Sequence, residues 1–146
     1  MGLKKAVGKG PVGIDTALFI YFVERHSIYA SLVRPLFAAA DRGELLLVTS
    51  AVTLLEVQVV PYRTGDTALA ERYEMLLTHS RGLTLVDLDR DLMRTAAQLR
   101  ARFNVRTPDA LQLAAALSMR CTAFVTNDRR LPEIAGLKVL QLRDVA

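Results

Sequence analysis

Short, dense apolar runs alternate along this chain with longer segments in which apolar residues recur every three or four positions. The runs VGI, ELLLVTS, LTLVDL, AFVT and LKVLQL read as strands, and their near-continuous apolar character is that of parallel strands covered on both faces. After the first, TALFIYFVERHS shifts to helical spacing through Leu18, Phe19 and Phe22. Residues 28–40 continue as a second helix, which the Asp41, Arg42, Gly43 turn ends. Residues 51–60 read as a helix that Ser50 can cap; it is apolar nearly all round, which predicts burial, and Pro61 predicts its break or kink. Residues 67–78 form a further helix. Residues 89–103 place Leu92, Ala96, Leu99 and Phe103 on one stripe with Arg90, Arg94 and Arg102 off it, an amphipathic helix laid on the sheet. Thr107 as N-cap and Pro108 in the first turn open the last long helix. This alternation predicts an α/β fold, a mostly parallel sheet with helices on both faces.

Composition adds boundaries to that picture. A chain of 146 residues, 51% hydrophobic and 23% charged, fits one globular domain with a full core. The first ten residues, MGLKKAVGKG, read as a mobile basic segment, and residues 11–146 as the domain. The net charge of +4 permits a polyanionic partner without demonstrating one. Cys121 is the only cysteine, so no intramolecular disulfide forms and a reducing cytoplasm is the expected compartment. Asp15, Glu24 and Arg25 interrupt what would otherwise resemble an export signal. The longest uncharged stretch, residues 45–55, is too short to span a bilayer, so no membrane insertion is expected.

Four acids stand beside these apolar runs: Asp15 in VGIDT, Glu56 in TLLEV, Asp109 in TPDALQLAAAL and Asp128 in AFVTND. An ionised carboxylate next to a core is costly unless it is paired or holds a cation. In open parallel sheets, sites form beyond the carboxyl ends of strands. Asp15 and Asp128 fall at two such ends, and Asp109 in the first turn of its helix. Glu56 lies with Thr49 and Thr53 on a narrow polar stripe, expected to open onto a wet pocket. Singly, Asp15 and Asp128 could cap helical turns and Asp109 could complement a helix dipole. Four acids at matching ends of one predicted sheet point instead to a shared site.

The ordered set resembles the PIN-domain ribonucleases, and most closely the VapC-type toxins of toxin-antitoxin pairs. Asp15 in VGIDTALFIYF, Glu56 in TSAVTLLEV, Asp109 in PDALQLAAAL, and Thr126 with Asp128 in FVTNDRRL match in order and spacing, and the likeness runs from Pro11 onward. The resemblance implies a three-layer α/β/α sandwich and metal-dependent cleavage of RNA, with Mg2+ or Mn2+ held by Asp15, Glu56, Asp109 and Asp128 and supported by Thr126. It also implies a homodimer and an antitoxin partner seated in a groove lined by the first two helices and the segment around Glu56. Many relatives carry a further acid soon after the fourth. Here Arg129, Arg130 and Leu131 follow Asp128, which implies one firmly held ion and a second arriving with substrate.

Mg2+ suits such a site, because it takes oxygen ligands and keeps several waters. Arg106, Arg129 and Arg130, close in sequence to the acids, are the expected RNA contacts. Asp87, Asp89 and Asp91 fall outside the set, as do the isolated His26 and His79. Three other readings use parts of the same pattern: an RNA-processing nuclease of this kind without a toxin role, a PIN-like module whose acids grip a partner's arginine, and a phospho-receiver built on Asp15, Asp87, Thr126 and Lys138. The receiver lacks the adjacent acids its first strand should carry, since Ile14 and Thr16 flank Asp15.

Overall fold

The five apolar runs assemble into one sheet in a computed structural model that describes residues 2–145. Its strands are β1 (Val12–Ile14), β2 (Leu47–Ser50), β3 (Leu83–Val86), β4 (Ala123–Thr126) and β5 (Lys138–Gln141), in the order β3-β2-β1-β4-β5. Every pairing is parallel, with Ile14 opposite Val125 and Gly13 opposite Val48. The central strands β2, β1 and β4 are buried throughout, whereas the edges β3 and β5 are only partly covered.

Helices α1 (Leu3–Val7), α2 (Thr16–Val23), α3 (Ala30–Asp41), α4 (Val52–Thr64) and α5 (Thr67–His79) share one core with the sheet; α6 (Arg90–Phe103) and α7 (Thr107–Ser118) share another. The strands feed both by alternation: Val12, Ile14, Leu47, Ala123 and Val125 enter the first, Val48 and Phe124 the second. The result is the expected α/β/α sandwich. Gly13 occupies the α7-facing position of β1, where a Cβ would stand 2.6 Å from the Phe124 ring and 3.0 Å from Ala116 Cβ. The missing side chain lets α7 approach β1 closely, and α7 carries Asp109 and Gln112 on the same stripe as Ala116.

Four local expectations change. The basic N-terminal segment is not an extended arm: it contains α1, whose Leu3 and Val7 are buried in the first core while Lys4 pairs with Glu44 at 3.2 Å. Pro61 does not end α4, which continues to Thr64 and stops at Gly65 in the left-handed region at φ 77°. Pro61 forgoes the bond to the Val57 carbonyl and crowds it, and the helix continues with both side chains buried. Nor is α4 buried all round. It presents Thr53, Val57 and Pro61 inward and leaves Leu55 63% and Val60 57% exposed, because neighbouring elements cover a single stripe. Arg106 rather than Thr107 holds the N-cap position of α7, without a side-chain cap, and Pro108 lies in the first turn.

Candidate functional site

The chain builds the sheet outward from β1 through β2 to β3, then crosses to β4 on the other side of β1. A crevice opens beyond the carboxyl ends of the strands where such an order reverses. Asp15 directly follows β1 and N-caps α2, its Oδ1 accepting from the Thr16 backbone N–H at 2.8 Å. Its own N–H donates to the Val125 carbonyl at 3.0 Å, tying it to β4. Thr126, the fully buried last residue of β4, donates from Oγ1 to Asp15 Oδ2 at 2.6 Å and accepts from the Asp128 N–H at 2.9 Å. One hydroxyl thus links two of the four acids.

Asp15 is raised above the ordinary carboxylate pKa of 3.8. Burial is the main cause, hydrogen bonds from Thr126 and Thr16 oppose it, and repulsion from Asp109 and Glu56 adds to it. The structure therefore brings Asp15, Glu56 and Asp109 within electrostatic reach of one another. Among the described residues no cationic side chain pairs with Asp15. Asp109 lies in the first turn of α7, and Arg106 Nε approaches its Oδ2 at 3.3 Å. Glu56 reaches in from the exposed side of α4 and accepts at Oε1 from Thr16 Oγ1 at 2.7 Å.

Asp128 differs from the other three. Arg130 grips its carboxylate through Nε at 2.9 Å and Nη2 at 3.0 Å, while the Arg130 N–H also donates to Oδ1. Those contacts with Arg130 hold its pKa below the usual value. Arg129 pairs with Asp144 at 2.7 Å. Arg106 and Arg130 therefore each engage one of the four acids, whereas Arg129 is held by Asp144 outside the set, and all three are largely exposed.

The sequence reading missed Gln112. It is 3% exposed, on α7, and joins four hydroxyl residues: Oε1 accepts from Ser50 N, Ser50 Oγ and Thr49 Oγ1, and Nε2 donates to Thr16 Oγ1 and Thr53 Oγ1. The expected wet stripe of Thr49 and Thr53 is consequently a dry network, both hydroxyls being buried. The available signal was a glutamine inside the apolar run LQLAAAL, three residues after Asp109: a polar group so placed must be satisfied by buried partners.

Among the described residues no three His, Cys, Asp or Glu side chains stand together as a ready metal cage. The donor chemistry nevertheless fits a hard cation, since Mg2+ is commonly held by one or two carboxylates with water and phosphate completing its shell. Asp15 and Glu56 offer carboxylate oxygens that no cationic side chain among the described residues engages, Asp109 shares one oxygen with Arg106 at 3.3 Å, and Asp128 would have to leave Arg130. The remaining candidates are structural. Burial pushes the Cys121 thiol up to about 12, leaving it inert at neutral pH. Asp89 N-caps α6, accepting from Leu92 N–H at 2.9 Å, so Asp89→Ala is expected to cost about 1 kcal/mol of stability by denaturant titration. If Asp89 lies outside the site, the same variant keeps wild-type activity.

The PIN domain family model matches residues 12–137. No curated protein matches the chain. Solved structures share the fold: VapBC2 from Rickettsia felis bound to a promoter DNA fragment has a TM-score of 0.65 at 16% identity, covering 89% of this chain and 97% of that one. A toxin-antitoxin complex from Klebsiella pneumoniae has 0.64 at 21%, covering 86% and 93%. VapC20 of Mycobacterium tuberculosis, described as a sarcin-ricin loop cleaving toxin, has 0.63 at 16%, covering 77% and 86%.

Proposed function

The chain belongs to the PIN domain family, and from that premise we propose that it is a divalent-metal-dependent endoribonuclease and the toxin of a toxin-antitoxin pair. The observation that carries the reading is Asp15: an enclosed carboxylate, raised in pKa, beside Asp109 and Glu56 and without a cationic partner. In this reading Asp15, Asp109, Glu56 and Asp128 would hold Mg2+ or Mn2+, with Arg130, now on Asp128, available to RNA phosphate. The ion supplies Lewis acidity toward a phosphodiester oxygen and an attacking water. The protein's own groups do the rest. Thr126 and Thr16 keep the Asp15 and Glu56 oxygens oriented, while Arg106, Arg129 and Arg130 offset the negative charge of site and substrate at the rim.

Two surfaces support a protein partner. Leu55, Val59, Val60 and Tyr62 leave an uncovered apolar strip on α4, larger than scattered surface residues require. A groove of about 840 Å³ between α2, α3 and α5 has Phe22, Met75 and Leu76 in its lining and Arg25, Arg34 and Arg72 around it. This groove is lined by α5 rather than by the segment around Glu56, and it suits an amphipathic, acidic segment of an antitoxin. The strip on α4 suits a second copy of the chain.

Purified protein is expected to cleave RNA with Mg2+ and to stop with EDTA. Asp109→Asn should lose on the order of a hundredfold or more in rate, since charge stabilisation at such a centre is worth several kcal/mol. Cleavage by Asp109→Asn equal to wild type would remove Asp109 from the site, and cleavage unaffected by EDTA would end the metal reading.

A further inference from the structure

The Ser50 backbone fixes the orientation of the Gln112 amide. The Ser50 backbone nitrogen can only donate, so the Gln112 atom facing it at 3.1 Å is Oε1, and the amide has one orientation. Nε2 faces the other way and gives its two protons to Thr16 Oγ1 at 3.0 Å and Thr53 Oγ1 at 2.6 Å. Oε1 accepts from Ser50 Oγ at 2.9 Å and from Thr49 Oγ1 at 3.3 Å. The Thr49 and Thr53 hydroxyls stand 2.7 Å apart, and either can donate to the other. Thr16 then receives one proton from Gln112 and has its own left to give, and the acceptor at 2.7 Å is Glu56 Oε1. Thr16, its proton given to Glu56, can only accept at its 3.0 Å approach to Thr53.

We propose that Gln112 is a positioning residue for Glu56: its buried amide, oriented by Ser50, commits the Thr16 hydroxyl to donate to the Glu56 carboxylate and so holds that carboxylate toward Asp15. Glu56 itself sits on an exposed part of α4, where its side chain would otherwise sample several rotamers. Without the Gln112 amide, Thr16 is free to donate to Thr53 instead, and Glu56 loses its anchor. Gln112 touches neither substrate nor ion; it acts through Thr16, as partners behind metal ligands commonly do. The inference rests on the metal-site reading above.

Mn2+ affinity, measured by electron paramagnetic resonance on the purified full chain without RNA, separates the two. Gln112→Met and Thr16→Val are each expected to weaken binding on the order of tenfold, the usual scale for such partners. Thr16→Ser, which keeps the hydroxyl, should bind as wild type, whereas a merely packing role would not distinguish Ser from Val in this way. If Asp15→Asn abolishes binding while Gln112→Met and Thr16→Val retain wild-type affinity, the positioning role is overturned and the metal site stands. If wild type does not bind Mn2+, or Asp15→Asn binds it as wild type does, both readings fall. Gln112→Met strands the Ser50 N–H, and where that variant fails to fold, neutron diffraction on wild-type crystals decides. A deuterium on Thr16 Oγ1 directed at Glu56 supports the proposal, and one directed at Thr53 or Gln112 overturns it.

Discussion

Asp15→Asn is expected to abolish metal-dependent cleavage, by roughly two to three orders of magnitude, and at the same time to raise the thermal stability of the metal-free protein at neutral pH. The two effects share one cause. Burial and the neighbouring Asp109 and Glu56 raise the folded-state pKa of Asp15 above 3.8. Between its unfolded and folded pKa the folded state binds more protons than the unfolded one, so stability falls as pH rises through that window. Above the folded pKa the whole penalty is present; below 3.8 it is absent. An amide carries no charge and escapes it. Thr16 N–H still finds the side-chain oxygen, and the Thr126 hydroxyl can turn to accept from the new N–H group. Calorimetry at pH 7 without metal should therefore show Asp15→Asn melting above wild type, with the gap closing toward pH 3. Added Mg2+ should lift wild type and leave the variant unmoved, because a ligand stabilises only the state that binds it. A variant melting below wild type at pH 7 would mean that Asp15 is a structural cap and no strained ligand.

The strands were legible because parallel strands buried on both faces are mostly apolar: VGI, AFVT and the last four residues of ELLLVTS appear as β1, β4 and β2. The candidate site stood out for a related reason, since acids are rare beside such runs and Asp15 and Asp128 follow the ends of adjacent strands. What could not be read depends on contacts between distant segments. The burial of α4 follows from which neighbours cover it, so a helix apolar all round became one with Leu55 and Val60 in solvent. The docking of α1 depends on Leu3 and Val7 meeting the first core, which a basic, glycine-containing stretch does not announce. Gln112 looked like an ordinary helix residue because its partners Thr16, Ser50 and Thr53 lie 96, 62 and 59 positions away. The engagement of Asp128 by Arg130 was hidden in plain view: the two were assigned separate roles, as ligand and RNA contact, although they stand two residues apart.

Thr126→Val, nearly isosteric, should lower both stability and cleavage, while Thr126→Ser should preserve most of each. The hydroxyl of this fully buried residue gives its proton to Asp15 and receives one from the Asp128 backbone. Valine leaves that part-buried N–H and the Asp15 carboxylate each without its hydroxyl partner, a loss of about 1–3 kcal/mol. The bond it removes is also the strongest of those pulling the Asp15 pKa down against burial, so Asp15 would titrate still higher. Less of it would be ionised at a given pH, and metal binding requires the carboxylate. The acidic limb of the cleavage profile should accordingly move to higher pH in Thr126→Val, and the rate at pH 7 should fall on the order of tenfold or more. Raising pH should recover part of the rate, which loss of fold alone would not allow, because the Asp15 penalty lowers stability in that direction. A Thr126→Val profile superimposable on wild type would show that the hydroxyl neither orients nor tunes Asp15, and the link between the ends of β1 and β4 would then be packing alone.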